Sequence, residues 1–376
     1  MHKENGNGKA TREPWIHLTR RMTMSPVKAW GIRLLAILLG MVLCGAVAFL
    51  LIGKLREHPE KIGDFYYTFW KGSFSTPRKS WKFFKDLAVL LCIALALTPA
   101  FRMRFWNTGA EGQTLMGIWG AIAVNFYWGG KLSEPLLLIW MFIASILCGI
   151  LWAVIPALFK AKWNTNETLF TLMMNYVASY VVAYFLVVWV PSGSSSLGKL
   201  STGRLPSFGH DYLVIILTVL ALTILMHIYL NYTKHGYELN VVGQSVRTAQ
   251  YIGIRVGKII IRTMILSGAL CGLAGYLIGA GLDQTITTES VGGQGFTAIM
   301  VCWLAKFSPI GMILTSGLVT LLEHGASQIS QDFGVSGAFP DVIVGIILFF
   351  VIGSEFFINY RVHFRGHGHR EKEGIR

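Results

Sequence analysis

The chain has 376 residues, 53% of them hydrophobic and only 14% charged, with a formal net charge of +14. Soluble domains carry about 25% charged residues, so one soluble core is excluded and a polytopic helical membrane protein is indicated. The positive charge does not call for nucleic acid, because the basic residues cluster at the ends of apolar runs and no aromatic-basic module accompanies them.

Residues 1–33 are polar and basic and read as a partly disordered cytoplasmic segment. Ten apolar stretches follow that approach or exceed the ~20 residues needed to cross the hydrocarbon. They are 34–52, 87–101, 113–130, 136–159, 168–190, 212–230, 263–282, 291–305, 309–322 and 342–358. The first is followed by Gly53-Lys54-Leu55-Arg56 rather than a small-residue cleavage site, so it reads as a retained span. The loop 54–85 is rich in aromatic and basic residues. It reads either as a contact surface for a soluble partner or, preferably, as an amphipathic helix in an interfacial aromatic belt. The eighth and ninth stretches are short and nearly continuous, which suits half-spans or a re-entrant pair. Residues 34–360 are thus expected to form the membrane domain and 361–376 a cytoplasmic tail.

Placing both termini in the cytoplasm puts 22 of the 33 Lys and Arg residues inside, the sense the positive-inside rule favours. The eight basic residues of 54–85 run against it. The Gly/Ser/Pro-rich loop 192–209 reads as external and flexible. Asp283, Glu289, Glu323, His324, Asp332 and Asp341 gather near predicted external ends. They read as hydrated loop charge before a docking surface, and Asp341 also as a first-turn acid. His363, His367 and His369 read as a solvated tail rather than a metal tract. Cys44, Cys92, Cys148, Cys271 and Cys302 lie in apolar runs, unpaired in spacing, and read as small buried hydrophobes. No metal or catalytic constellation such as HExxH is present.

Three stretches invite a functional reading. In 107–113, Asn-Thr-Gly-Ala-Glu-Gly-Gln, Thr108 and Glu111 have capping-box spacing with Asn107 as an alternative cap. The same polar groups at the mouth of a span also suit a solute path, through Asn107, Glu111 and Gln113, and the pattern leaves the two readings even. On the fifth span Glu167, Thr171, Asn175 and Ser179 recur every four residues. That stripe is interhelical glue or pathway lining, with Thr171 and especially Asn175 assigned to the pathway. On the seventh, Ser267, Cys271, Gly275 and Gly279 form a small-xxx-small ribbon for close packing.

The third stretch is the polar interlude 234–258, between two spans. Ser245 is its N-cap; Val246, Ala249 and Ile252 form an apolar face; Arg247, Thr248 and Gln250 take the other; Gly253 is the C′ residue. Such a helix is presented to a partner.

These stretches carry a resemblance. Residues 107–113 resemble the permease signature of ABC importers of the nucleoside and simple-sugar type, with Thr108 at a usually aliphatic position. Asn166-Glu167 with 171–176, then 243–254 with 267–275, then 295–299 with 309–311, are similar in order to three further segments of that family. The resemblance covers roughly residues 30–358. It implies an all-α fold of about ten transmembrane helices, of the ribose, branched-chain amino acid and vitamin B12 permease type, in a bacterial inner membrane. It implies a non-enzymatic subunit carrying a small polar solute, nucleosides first and ribose-like sugars next. It also implies a second permease subunit, ABC ATPase subunits inside and a solute-binding lipoprotein outside. Gly243, Ser245, Arg247, Ala249, Tyr251 and Gly253 would then belong to the helix that couples to the ATPase. The chain has no GxxxxGK[ST] of its own, so ATP belongs to that partner. The alternative is a secondary transporter or channel acting alone. It calls for ionisable residues at span centres, and none falls there.

Overall fold

The computed structural model describes residues 16–21, 24–58, 62–190, 193–207, 209–335 and 338–364. The expectations for residues 1–15 and for His367 and His369 lie outside these. In chain order the elements are β1 (Ile16–Arg20), α1 (Pro26–Leu51), α2 (Gly53–Glu57), α3 (Ile62–Phe74), α4 (Pro77–Arg102), α5 (Ala110–Trp128), α6 (Glu134–Trp163) and α7 (Glu167–Trp189). They continue with α8 (Leu213–Tyr232), α9 (Lys234–Gln244), α10 (Val246–Tyr251), α11 (Val256–Ile278), α12 (Gln294–Leu304), α13 (Pro309–Phe333), α14 (Phe339–Asn359) and β2 (Tyr360–Phe364).

Among the described residues seven helices, α1, α4, α6, α7, α8, α11 and α14, are long and apolar enough to cross a membrane. The other three predicted stretches became α5, α12 and α13. Helix α12 has only 11 residues, a rise of about 16 Å against a hydrocarbon core of about 30 Å. Helix α13 is not a half-span: it runs for 25 residues. Glu323, His324, Gln328 and Asp332 in its second half broke the apolar run that the sequence reading followed.

The chain divides into two compact units, with boundaries inside α3 and α13. In the first, comprising residues 1–68 and 326–376, α1 packs along α14. Arg33 pairs with Glu355 at 2.5 Å, and the Tyr66 hydroxyl donates to the Met41 carbonyl at 3.2 Å. Pro26, with its fixed φ, starts α1 eight residues before the apolar run begins. Among the described residues the strands form one antiparallel ribbon, in which β1 pairs with β2 and Ile16 stands opposite Phe364. That pairing brings the start of α1 and the end of α14 to the same end of the unit.

In the second unit, residues 69–325, α4 is buried at every position from Ala88 to Phe101. Helices α11, α12 and α8 pack closely about it, while α5, α6 and α11 pack on one another; there the Ser145 hydroxyl lies 2.8 Å from the Gly117 carbonyl and 2.7 Å from that of Gly272. All five cysteines are free, four of them buried.

Three expectations change here. The loop expected to be flexible is tied down: Leu200 N donates to the Gln284 carbonyl at 2.9 Å, and Asn125 Nδ2 to the Thr202 carbonyl at 2.7 Å. Its composition is turn-like, but its backbone groups find partners on neighbouring segments. Glu323 and His324 are not at a helix end; His324 Nε2 lies 2.9 Å from Asp86 Oδ2, and Lys85 Nζ 2.7 Å from Asp86 Oδ1. Because α4 starts at Pro77, Lys85 and Asp86 lie inside a membrane helix, where a partner for each charge is what makes it tolerable. Asp341 does stand in the first turn of α14.

Candidate functional site

Two assemblies of polar residues meet at the Arg102 end of the second unit. The first is the junction between α4 and α5. Asn107 is fully buried. Its Nδ2 donates to Gln113 Oε1 and to Ser267 Oγ, both at 3.2 Å, and its Oδ1 accepts from Gly109 N at 3.0 Å and Gln113 Nε2 at 3.1 Å. Thr108 N donates to Thr171 Oγ1 at 3.1 Å, and Thr108 Oγ1 lies 3.0 Å from the Thr168 carbonyl. Asn175 completes the lock. Its Nδ2 donates to the Thr108 carbonyl and its Oδ1 accepts from Gly112 N, both at 2.9 Å.

The capping box expected at Thr108 and Glu111 is absent. Gly109 is the N-cap of α5 and no side chain caps it. Thr108 is drawn to α7, and Glu111 turns to another helix altogether. Glu111 Oε1 accepts from Gly293 N at 2.8 Å and Oε2 from Gly295 N at 2.7 Å. Those amides open α12, whose first N–H groups have no partner within the helix. A carboxylate there meets two orphan donors and the positive end of the helix dipole at once. Glu111 therefore staples α5 to α12, with Gly295 so close that a Cβ on it would meet the Glu111 side chain at 2.7 Å.

Thr171 and Asn175, assigned to a pathway from the sequence, are buried and committed to the junction. Asn175→Leu strands one buried carbonyl and one buried amide, each costing about 1–3 kcal/mol. The expected result is a lower melting temperature of the purified chain, with uptake falling in proportion. Unchanged melting with impaired uptake would instead mark direct contact with solute. Glu167 is engaged differently, 2.8 Å from Lys160 Nζ.

The second assembly is an elbow of two short helices where the sequence reading placed one. Thr233 Oγ1 accepts from Gly236 N at 3.2 Å and starts α9, whose Leu239 and Val242 are buried. Arg262 holds α9 to α11 through Glu238 at 2.9 Å. Ser245 caps α10 as expected, its Oγ accepting from Thr248 N at 3.2 Å. Gly253 closes it at φ +85°, with Ile254 N donating to the Ala249 carbonyl at 2.9 Å. The expected apolar face is only a single buried residue, Ala249; Val246 and Ile252 are about half exposed. Arg247 is exposed and Tyr251 is 93% exposed. Gly243 backs directly onto the Arg102 carbonyl, so elbow and junction are in contact. A cavity of about 480 Å³ opens beside them, lined by Arg104, Lys160, Glu167, Ser245 and Gln250 among others.

Sequence reasoning missed Ser267, Gly293 and Gly295 as partners of the junction. The glycine run 292–295 was the available signal, and it marks a break between helices rather than a polar contact.

Apolar helices long enough to cross a membrane, whose polar residues are spent on joining one another beside a small exposed elbow, define a membrane-embedded helical protein. The chain belongs to the permease family described as branched-chain amino acid transport system / permease component, whose pattern matches residues 82–352. It is 29% identical over 333 residues to the guanosine ABC transporter permease protein NupP of Bacillus subtilis (strain 168), covering 85% of this chain and 92% of that one. It is 29% identical over 292 residues to the glucose ABC transporter permease protein TsgB13 of Haloferax volcanii, covering 73% and 76%. To the nucleoside ABC transporter permease protein NupB of Lactococcus lactis subsp. cremoris it is 25% identical, covering 71% and 77%. The chain is thus the membrane-spanning permease subunit of an ABC importer, a protein that works with ATPase and binding-protein partners.

Proposed function

We propose that this permease carries nucleosides. The observation that supports this most is its similarity, over 85% of its length, to a guanosine permease. In this reading it pairs with a second permease chain and receives its solute from a lipoprotein on the external face. It is driven by ATPase subunits seated on α10, and ATP is bound and hydrolysed by them alone. Both termini lie in the cytoplasm. The β1–β2 pairing supports a common side for the two ends, and the distribution of Lys and Arg supports which side it is. Closing of the ATPases pushes on Gly243, Ser245, Arg247, Ala249, Tyr251 and Gly253, and the elbow passes that displacement to the Arg102 end of α4. Asn107, Glu111, Gln113, Thr171 and Asn175 act on the solute path by holding its walls in register.

Labelled guanosine uptake, measured in cells producing the complete importer and in cells lacking this chain, tests the proposal. Uptake that depends on the chain, and is competed by unlabelled nucleosides but not by glucose or ribose, is the expected outcome. Chain-dependent uptake of glucose with no nucleoside competition would overturn the cargo assignment in favour of the sugar reading that the Haloferax relative represents.

A further inference from the structure

A second cavity, of about 500 Å³, lies on the opposite flank of the elbow. Four aromatic rings from different parts of the chain join around it in a closed cycle. Phe101 ends α4, Trp106 lies in the junction, Trp303 ends α12 and Phe307 follows it. Trp106 and Trp303 stack with centroids 5.3 Å apart and planes at 16°. Phe101 is 5.9 Å from Trp106 and 6.0 Å from Phe307, and Phe307 is 5.5 Å from Trp303. The tryptophans are 40% and 46% exposed, so flat aromatic surface is left uncovered. The facing wall is polar, made by Asn240 and Gln244 of α9 with Arg104.

An interfacial aromatic belt accounts for lone exposed tryptophans. It does not account for this arrangement. Belt residues point outward singly, whereas these rings bracket one another around a recess with amide and guanidinium groups opposite. The backbone shows how the rings are placed. Five non-glycine residues among those described have positive φ, and three of them, Arg104 at 59°, Lys306 at 51° and Phe307 at 59°, line this one cavity. They are the left-handed closures of α4 and α12, with Phe105 N donating to the Ala100 carbonyl at 2.9 Å and Phe307 N to the Cys302 carbonyl at 3.0 Å, so two helix ends turn back at the cavity and set its rings in place. Arg102 fixes the loop, its Nη2 donating to the Phe307 carbonyl at 3.0 Å and its Nη1 to the Leu230 carbonyl at 3.3 Å.

We infer that this cavity is a release site for the nucleobase: the base stacks on Trp303 and Trp106, and the sugar hydroxyls meet Asn240 and Gln244. The inference rests on the nucleoside reading and gives it residues. A volume of this size falls in the roughly 300–1,000 Å³ range of small-molecule sites, and every base has a π-face to offer an aromatic wall. Because Gly243 abuts the Arg102 carbonyl, motion of the elbow moves the polar wall against the aromatic one. A drive applied at α10 thus reaches the site within one helix.

The test is guanosine and ribose titration of the full chain in nanodiscs, following tryptophan fluorescence, alongside guanosine uptake by the complete importer. Guanosine should bind and ribose should not. Trp303→Ala should weaken guanosine binding roughly tenfold, about 1.4 kcal/mol, while Trp303→Phe, which keeps a ring, should lose much less. Trp106→Phe guards against misfolding of the alanine variant, and membrane abundance is measured for all three. If the wild-type importer takes up guanosine but Trp303→Ala binds it as the wild type does, the release site is overturned and the nucleoside reading stands. If the wild type neither imports nor binds guanosine, both fall.

Discussion

Gly268→Leu is expected to abolish accumulation of folded protein. Helices α6 and α11 meet without side chains between them: a Cβ on Gly268 would lie 2.5 Å from the Gly149 carbonyl oxygen and 2.6 Å from the Ala153 Cβ. One turn on, a Cβ on Gly272 would lie 2.5 Å from the Ser145 carbonyl. The obstacles are backbone atoms of a packed helix, so the variant cannot be accommodated by rotating a neighbouring side chain. Overpacking of an adaptable core costs about 1–3 kcal/mol; here the helices must separate, and the Ser145 bonds to Gly117 and Gly272 separate with them. In a membrane there is no hydrophobic drive between helices to offset this, since close packing is itself the main attraction. The comparison variant is Gly345→Leu, where nothing lies within 4 Å. It should fold normally and gain the ~1 kcal/mol of helix propensity that glycine forfeits. Membrane abundance and monodispersity after detergent extraction read both. Normal abundance of Gly268→Leu would show that α6 and α11 are not in backbone contact.

That packing was partly legible. The small-residue ribbon was read from Ser267, Cys271, Gly275 and Gly279, and Gly275 does abut the Thr114 carbonyl, its virtual Cβ at 2.6 Å. The tighter contact uses Gly268 and Gly272, one residue along, against α6. A helix with small residues on two faces offers two partners, and periodicity alone cannot rank them. Local signals transferred well: the Ser245 cap and the Gly253 turn involve residues at most five apart, so their geometry follows from backbone chemistry. Thr233 was available by the same logic as a cap for α9, but a polar stretch with Gly236 and Asn240 lacks the apolar period that announces a helix. Long-range polar pairing was not legible. Glu111 fits a capping box by spacing, and only the fold brings Gly293 and Gly295 to it. A carboxylate that meets two orphan amides at the start of α12 gains more than one that meets a single amide of its own helix. Likewise Asn175 on α7 and Asn107 in the junction before α5 are polar among apolar residues whether they grip solute or hold neighbouring segments. What decides between glue and pathway is where the neighbouring helices stand.

Arg247→Glu combined with Tyr251→Ala is expected to remove ATPase subunits from the purified importer while leaving this chain intact. Helix α10 is held by the Ser245 cap, the buried Ala249 and the Gly253–Ile254 closure, and none of these uses either side chain. Tyr251, 93% exposed, has little packing to lose. In a complex the same residues are of the types that dominate interfaces, where truncation of an anchoring Tyr or Arg costs about 2 kcal/mol or more. Reversing the charge at 247 adds repulsion wherever the partner is acidic. Together they should reduce co-purifying ATPase at least ~30-fold. Tyr251→Ala alone should fall between, and Ser245→Ala, which costs about 1 kcal/mol of helix stability, should weaken docking without abolishing it. Uptake should cease in the double variant although the chain reaches the membrane at its usual level. Wild-type amounts of ATPase on the double variant would sink the assignment of α10. The same experiment addresses the carrier that works alone. Such a protein would be indifferent to two exposed side chains that serve only a partner chain, and its transport would persist when both are changed.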